Sequence, residues 1–166
     1  MNASNGRILK SLALLVPVLL ITAGCKSGPP IVRPVPWTVV ITKTTTASIE
    51  VDLIGVTEKQ KQFYAGLAMD AYWKSGSQVR KDADKISKAL EKDKPWTLDS
   101  GDPQWAKWFS RGVTELLVVA NLPEKRGHWQ EALCLDKKCW KADKNTLEIE
   151  VQNTMVRVLT PQQVRN

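Results

Sequence analysis

The residues of this chain that could do chemistry are three cysteines and a single histidine, namely Cys25, Cys134, Cys139 and His128. Cys134 and Cys139 are separated by Leu-Asp-Lys-Lys, a spacing that suits a short closed loop. Thiolates and imidazoles bind Zn²⁺, but a structural zinc site needs four such ligands together. With one histidine and no further cysteine nearby, the pair is better explained as a disulfide or as free thiols than as a metal site.

Catalytic motifs are not evident elsewhere. A Ser-His-Asp triad is possible only around His128, and no G-x-S-x-G sequence marks a nucleophilic serine. Asp99 and Asp102 stand beside serine, glycine and proline, where turn and helix-cap roles fit better than paired carboxylate catalysis. No glycine-rich phosphate loop or dinucleotide motif occurs. We therefore expect no enzyme activity, no cofactor and no metal.

The third cysteine closes a leader sequence. Residues 12–21 are apolar, Arg7 and Lys10 precede them, and Thr22-Ala23-Gly24 connects them to Cys25. A basic start, a short apolar centre and small residues before a cleavage site are typical of a secretory signal peptide. Such a run is too short to cross about 30 Å of hydrocarbon. We predict a signal peptide over residues 1–24, and in an exported chain the Cys134 and Cys139 pair most simply forms a disulfide.

The Ala-Gly-Cys junction resembles the lipobox of bacterial lipoproteins, although Thr22 stands where that family usually has leucine. The resemblance implies that the mature chain begins at Cys25 and carries a lipid that anchors it to a membrane. Lys26 follows in place of the aspartate that signals inner-membrane retention in well-studied lipoproteins, which favours the periplasmic face of the outer membrane. A plain secreted protein is the alternative.

The mature chain would hold 22 basic and 17 acidic residues, a mild positive excess. This balance suits anionic head groups or an acidic partner, but it is too diffuse to indicate nucleic acid. Residues 26–36 contain four prolines and cannot form a central strand. We interpret residues 25–36 as a lipid anchor and extended tether that could span about 30 Å.

The first half of the domain alternates between strand and helix signals. Residues 37–42 predict a β-branched strand, and the alternation over 48–53 predicts a half-buried strand with Glu50 and Asp52 on its polar side. Thr57 and Gln60 have the spacing of a capping box and predict a helix, which residues 74–77 should end.

A second helix is predicted after Ser77 from an apolar stripe at Val79, Ala83, Ile86 and Leu90. Lysines repeat at similar spacing on the opposite side, at positions 81, 85, 88 and 92. They are either a solvated outer face or a basic surface for lipid phosphate or an acidic partner.

A third helix should begin at Asp102-Pro103 and end at Gly112. Trp105, Trp108 and Phe109 share one face of it. These aromatic side chains either cover the core or form an exposed patch that binds a partner.

The second half of the domain predicts strands. Residues 113–120 end in an apolar run typical of a central strand covered on both faces. Residues 147–159 form a hairpin pattern with a turn at Asn153-Thr154. The expected fold is therefore α+β, a single antiparallel β-sandwich over residues 37–160 with two or three inserted helices and a tail at 161–166.

Several segments in order resemble the outer-membrane lipoprotein family of type VI secretion systems. They are the lipobox, the stretch from Tyr72 through Ala83-Asp84 to Leu98, and the apolar strand ending at Ala120 that precedes Trp129. The resemblance implies a small β-sandwich that binds the periplasmic domain of an inner-membrane subunit, with no chemistry of its own. The family's Asn and Gly-Arg-Pro elements are missing here, and the cysteine pair and the helix from Thr57 are additional.

In that family the partner is bound partly through a loop between the first strands, which corresponds here to residues 42–48. The candidate contact residues are the threonines and lysine of that loop together with two aromatic side chains: Thr42, Lys43, Thr44, Thr45, Thr46, Trp105 and Trp108. The alternative function is a periplasmic ligand-binding lipoprotein whose pocket is lined by Trp105, Trp108 or Trp129.

Overall fold

The computed structural model describes residues 33–124, 130–142 and 144–163, and the statements below concern these residues. The predicted signal peptide, Cys25, His128 and Trp129 lie outside them. The strands are β1 (Thr38–Lys43), β2 (Ile49–Val56), β3 (Lys85–Leu90), β4 (Trp96–Leu98), β5 (Glu115–Ala120), β6 (Gln130–Cys134), β7 (Thr146–Val151) and β8 (Val156–Val158). The helices are α1 (Glu58–Ala65), α2 (Met69–Trp73), α3 (Gln78–Asp82) and α4 (Pro103–Ser110), with a 3-10 turn at Lys137–Cys139.

The strands form two four-stranded sheets, in the orders β4-β1-β7-β8 and β3-β2-β5-β6. This confirms the α+β class and the sandwich. Every pair of these strands is antiparallel except β1 and β7, which run parallel from Thr38 opposite Thr146 to Lys43 opposite Val151. Parallel neighbours need a long crossover. Here the chain leaves the first sheet after β1 and returns to it at β4 and again at β7.

The core lies between the sheets and is built by the alternation that the sequence shows. Val39 and Ile41 of β1 and Leu147 and Ile149 of β7 are fully buried, and residues 49, 51 and 53 of β2 meet them from the other sheet. Burial of one such side chain stabilises a fold by about 1.5–3 kcal/mol. Strand β5 is covered on both faces, as predicted, because Leu116 and Val118 join this core while Leu117 and Val119 join a second cluster.

The second cluster lies on the outer face of the β3-β2-β5-β6 sheet. Ile54 and Val56 of β2 pack there against Tyr64 of α1 and Tyr72 of α2. The helices between β2 and β3 return over the sheet and cover it. The prediction of a half-buried β2 was therefore wrong, since residues 51–56 are all buried and Asp52 is 0% exposed.

Local signals placed the helix ends well. Thr57 accepts a hydrogen bond from the Gln60 amide while the Gln60 side chain accepts from the Thr57 amide, which is the predicted capping box. The helix was expected to continue to residue 73, but Gly66 ends α1 and a separate helix α2 follows. Gly76, at φ 78°, lies in the turn between α2 and α3, within residues 74–77, which were predicted to end the helix.

The prediction of a long second helix was wrong. Only Gln78–Asp82 is helical, and Lys85–Leu90 is strand β3, paired antiparallel with β2 from Ile54 to Ile49. Ile86 and Leu90 are four residues apart, a spacing that fits one face of a strand as well as one face of a helix. The lysines consequently form no single row, because Lys85 and Lys88 lie on opposite faces of β3.

Helix α4 and the final hairpin agree with the sequence. Asp102 caps α4 by accepting a hydrogen bond from the Gln104 amide at 2.8 Å, and Gly112 follows its end at φ 76°. Strands β7 and β8 pair from Ile149 opposite Val158 to Val151 opposite Val156. No helix in the described part of the chain is long and apolar enough to cross a membrane.

Candidate partner interface

The strand register brings several connections to one end of the sandwich. Lys43 ends β1 opposite Val151, which ends β7. Leu90 ends β3 opposite Ile49, and Ala120 ends β5 opposite Val51, close to the start of β2. The connections that follow these strands are residues 44–48, 91–95, 121–124 and 152–155. We call this surface the loop end.

The connection between β1 and β2 is fixed to the β7–β8 hairpin. The Thr42 hydroxyl donates to the Ile149 carbonyl at 3.2 Å, and the Thr44 amide donates to the Val151 carbonyl at 3.1 Å. The Thr45 hydroxyl bonds the Asn153 side chain. These bonds extend the β1–β7 pairing into the connection and hold it in place.

The same connection is also closed on itself. Lys43 Nζ donates to the Ala47 carbonyl at 2.8 Å, and the Ala47 amide donates to the Thr45 hydroxyl at 3.2 Å. Thr42, Lys43 and Thr45 are half-buried as a result, while Thr44, Thr46 and Ser48 are exposed. The predicted loop therefore presents small hydroxyl side chains on an ordered turn, which costs a binding partner little ordering entropy.

The neighbouring connections add charged side chains to the loop end. Residues 91–95 are all exposed, and Lys94 pairs with Glu91 at 2.7 Å. Asp93 turns the chain there at φ 57°, a left-handed conformation that aspartate tolerates. The Glu124 amide donates to the Asn153 carbonyl at 3.4 Å, so the 121–124 and 152–155 connections touch.

Trp105 and Trp108 do not belong to this surface. Their exposed fractions are 2% and 0%, and they lie in the main core. Trp105 Nε1 donates to the Asp99 carbonyl at 2.9 Å, and Trp108 Nε1 donates to the Asp84 carbonyl at 3.2 Å. The prediction that Trp105 and Trp108 form an exposed patch is therefore wrong. Both indoles turn toward the core, and their Nε1 atoms find hydrogen-bond acceptors there.

The chain enters the domain at the opposite end. The Val35 amide donates to the Leu135 carbonyl at 3.0 Å, and the Trp37 indole donates to the same carbonyl at 3.0 Å. The Arg33 amide donates to the Asp136 carboxylate at 3.2 Å. Residues 33–36, the end of the predicted tether, are thus bonded to the loop after β6, at what we call the entry end.

The cysteine loop forms the centre of the entry end. The sulfur atoms of Cys134 and Cys139 are 2.06 Å apart, and Leu135 and Asp136 between them are buried. Trp140 Nε1 donates to the Cys134 carbonyl at 2.7 Å, and the Gln163 amide donates to the Cys139 carbonyl at 2.8 Å. Oxidation of this pair in the cell remains a prediction, which alkylation with and without reductant would test.

The outer face of β2 holds a polar cluster that the sequence did not reveal. Asp52 accepts from the Tyr72 hydroxyl at 2.7 Å and from Arg80 Nε at 2.8 Å, and Arg80 Nη2 bonds Glu50 at 2.6 Å. The Arg80 guanidinium also lies 4.2 Å from the centre of the Trp73 ring. These contacts fasten α2 and α3 to β2. The alternating sequence predicted that Asp52 faces solvent, but the helices between β2 and β3 pack over it and bury it.

Electrostatics follow from this arrangement. Burial by itself raises the pKa of Asp52, but hydrogen bonds from Arg80, Ser87 and Tyr72 outweigh it and hold the pKa below its ordinary value. Burial, and then the bond to Asp52, raise the pKa of Tyr72. The bond to Asp52 raises the pKa of Arg80. The cluster is therefore charged on Asp52 and Arg80 at neutral pH, and its bonds serve to hold helices rather than to move protons.

The described residues offer little for a catalytic or metal site. No group of three or more histidine, cysteine, aspartate or glutamate side chains is placed to hold a metal ion among them. One groove on the described surface is lined in part by Trp73 and another by Trp140, whereas Trp105 and Trp108 are buried. Trp105 and Trp108 therefore cannot line the ligand pocket that the alternative function requires.

Comparison with known proteins gives a likeness at the level of the fold. No family model and no curated protein sequence matches the chain. The structure of Lip from Serratia marcescens, described as a membrane-bound component of the type VI secretion system, superposes with a TM-score of 0.50 at 13% identity, covering 80% of this chain and 100% of Lip.

Two further structures give the same result. A chain of a type VI membrane complex matches with a TM-score of 0.50 at 14% identity, over 74% of this chain and 96% of its own length. A chain of the structure described as the type VI secretion protein TssM C-terminal domain from EAEC matches with a TM-score of 0.50 at 15% identity, over 74% and 99%. The resemblance to type VI secretion lipoproteins drawn from the sequence is therefore confirmed for the fold.

Proposed function

We propose that this chain is the lipid-anchored outer-membrane protein of a type VI secretion membrane complex, and that it holds an inner-membrane subunit by its periplasmic domain. The observation that carries the proposal is a sandwich fold that covers the whole of Lip, on a chain whose sequence at Ala23-Gly24-Cys25 resembles a lipobox. Its function is to bind a protein partner and hold it at the membrane, without a chemical reaction.

The geometry of the domain supports this assignment. The chain enters at the entry end, bonded to Leu135 and Asp136, while the ordered 44–48 connection lies at the other end. The described chain thus begins at the end of the domain away from the loop end. An outer-membrane anchor that points its binding loops toward the periplasm needs this polarity.

Anchoring is tested by labelling cells with radioactive palmitate. We expect label on the protein and recovery in the outer-membrane fraction, and we expect both to be lost in Cys25→Ser. An unlabelled protein that stays soluble would refute the anchor and leave partner binding to be decided separately.

Partner binding is tested by co-purification with the periplasmic domain of the type VI secretion inner-membrane subunit of the same organism. Thr44→Arg/Thr46→Arg places bulk and charge on the exposed side of the loop, and we expect roughly tenfold weaker binding. The matched control, Ser100→Arg/Ala106→Arg, adds the same charge to exposed positions near α4, at the entry end. Equal binding by both variants and the unmodified protein would argue against the loop end as the interface.

A further inference from the structure

A basic groove lies on the outer face of the β3-β2-β5-β6 sheet, outside the proposed partner interface. It has a volume of about 400 Å³ and runs between the turn joining α2 to α3 and strand β3. Its lining contains four basic side chains, Lys74, Arg80, Lys81 and Lys85, together with three serines, a glycine and Trp73. Among the residues that line it there is no acidic side chain.

Several donors in the groove remain available. Arg80 uses Nε and Nη2 to bind Asp52 and Glu50, and its Nη1 makes no hydrogen bond within the described chain. Lys85 Nζ donates to the Arg80 carbonyl at 2.6 Å, which fixes the ammonium beside Arg80 and leaves its other protons unused. Neither Lys74 nor Lys81 has an ion-pair partner in the residues the structure describes.

The local charge balance is positive. Asp52 and Glu50 both act on Arg80, so the three lysines face the groove without acidic neighbours in its lining. Trp73 holds Arg80 in position from one side, with the guanidinium 4.2 Å from the ring centre. The Trp73 Nε1 donor is buried and has no acceptor among the described residues. Converging cations and unused donors favour an anion with several acceptor oxygens.

We propose that this groove binds a phosphate group, presented by a lipid head group or by a soluble phosphorylated compound. A phosphate monoester carries up to two charges and three strong acceptor oxygens, which can meet lysine, guanidinium and serine donors together. A carboxylate has one charge and two oxygens and would leave more of these donors unpaired. The site depends only on residues of the folded domain, so it stands whether or not the proposed secretion function holds.

The test follows backbone amide resonances of the intact protein, purified from cells, in a neutral detergent. One arm adds inorganic phosphate or glycerol 3-phosphate, and a second arm dopes the micelles with phosphatidic acid. Acetate and diacylglycerol at matched concentrations are the controls for the two arms. We expect saturable shifts at residues 74–77 and at Ser87 with phosphate compounds and not with the controls.

The two arms distinguish the source of the phosphate. Saturation only in doped micelles assigns the site to a lipid head group, and saturation only with soluble compounds assigns it to a free ligand. Shifts that acetate reproduces, or that fail to saturate or to cluster at the groove in either arm, would overturn the proposal.

A pair of variants separates the groove from general charge. Lys74→Gln/Lys81→Gln removes two groove cations, and we expect roughly tenfold weaker phosphate binding. Lys59→Gln/Lys107→Gln removes two exposed helical lysines elsewhere and should bind as the unmodified protein does. Equal weakening in both pairs would mean diffuse attraction and would also overturn the site. Thermal unfolding of all variants checks that the fold is retained.

Discussion

Asp52 is one of two buried charged residues in the described part of the chain. A carboxylate with 0% exposure loses its hydration, and its charge is tolerated only because Tyr72, Ser87 and Arg80 donate to it. Arg80 comes from α3 and Tyr72 from α2, so a single side chain on β2 ties two short helices to the sheet. Helices of five residues have little stability of their own, and these contacts compensate.

Removing the carboxylate should therefore be costly. Asp52→Ala leaves the buried Tyr72 hydroxyl without its acceptor and removes one of the two carboxylates that bind Arg80, whose side chain is 24% exposed. We expect it to lower the free energy of unfolding by roughly 1–3 kcal/mol. Glu50→Gln is the matched control, since Glu50 also binds Arg80 but its side chain is 40% exposed. It should cost about 1 kcal/mol or less. Urea unfolding measures both, and similar values for the two variants would contradict a structural role for Asp52.

The same carboxylate predicts an acid-sensitive fold. Because the pKa of Asp52 is lowered in the folded state, the unfolded chain takes up the proton first as the pH falls. The stabilisation is complete above the unfolded pKa of about 3.9 and is lost as the pH drops through the lower folded value. Asp52→Asn should lose less free energy of unfolding than the unmodified protein between about pH 5 and about pH 2. Parallel pH profiles would exclude Asp52 as the source.

At the scale of elements, one glycine sets how closely α4 approaches the sheet. A Cβ built on Gly55 of β2 would lie 2.5 Å from the Trp108 ring, whereas one on Gly101 would meet nothing within 4 Å. Gly55→Ala must push the indole out of the core, and we expect a loss of about 1–3 kcal/mol. Gly101→Ala should be close to neutral. Thermal unfolding of the two variants tests the contact, and an unchanged Gly55→Ala melting temperature would refute it.

The cysteine loop should stabilise the entry end. Closing the short loop from Cys134 to Cys139 removes unfolded-state entropy worth about 2 kcal/mol. Loss of the bond should also loosen residues 33–37, because Val35 and Trp37 both donate to Leu135 inside that loop. We expect Cys134→Ser/Cys139→Ser to unfold at lower urea and to exchange its Val35 amide faster, with loop-end amides unchanged. Equal exchange at both ends would disprove a local effect.

The elements also show what the sequence could and could not predict. The capping box at Thr57, the α4 start at Asp102 and the β7–β8 hairpin depend on neighbours in sequence, and all were predicted correctly. Strand β3 was taken for a helix because Ile86 and Leu90 fit both periods, and pairing with β2, far away in sequence, decides between them. Asp52 was placed in solvent for the same reason, since the helices that bury it are a tertiary feature.

The β1–β2 connection shows the same limit at the candidate site. It could be selected by resemblance, but its hydrogen bonds to Ile149, Val151 and Asn153 join it to the β7–β8 hairpin, about a hundred residues further along the chain. Trp105 and Trp108 share a helix face in the sequence, and a helix face alone does not reveal whether it turns toward the core or toward solvent. Here it turns toward the core.

On the scale of the whole molecule, the domain has two ends built from different segments of the chain. The entry end gathers residues 33–37, the cysteine loop and Gln163, while the loop end gathers the connections after β1, β3, β5 and β7. Strands β1 and β7 run between the two ends side by side. Under the proposed function, a force between anchor and partner would therefore act along these paired strands.

The length of the proposed tether and the partner contact at the loop end can therefore be tested separately. Deleting residues 27–31 would shorten the proposed tether by about 15 Å, and the first contacts of the described domain begin only at Arg33. We expect the deletion to leave partner binding in detergent unchanged but to reduce complex recovery from membranes, where the anchor fixes the distance. Thr44→Arg/Thr46→Arg should instead reduce both. A glycine-serine segment of equal length in place of 27–31 restores reach without the native residues and should restore recovery. If it fails to do so while detergent binding stays intact, those residues act by their identity rather than their length, and the segment is more than a spacer.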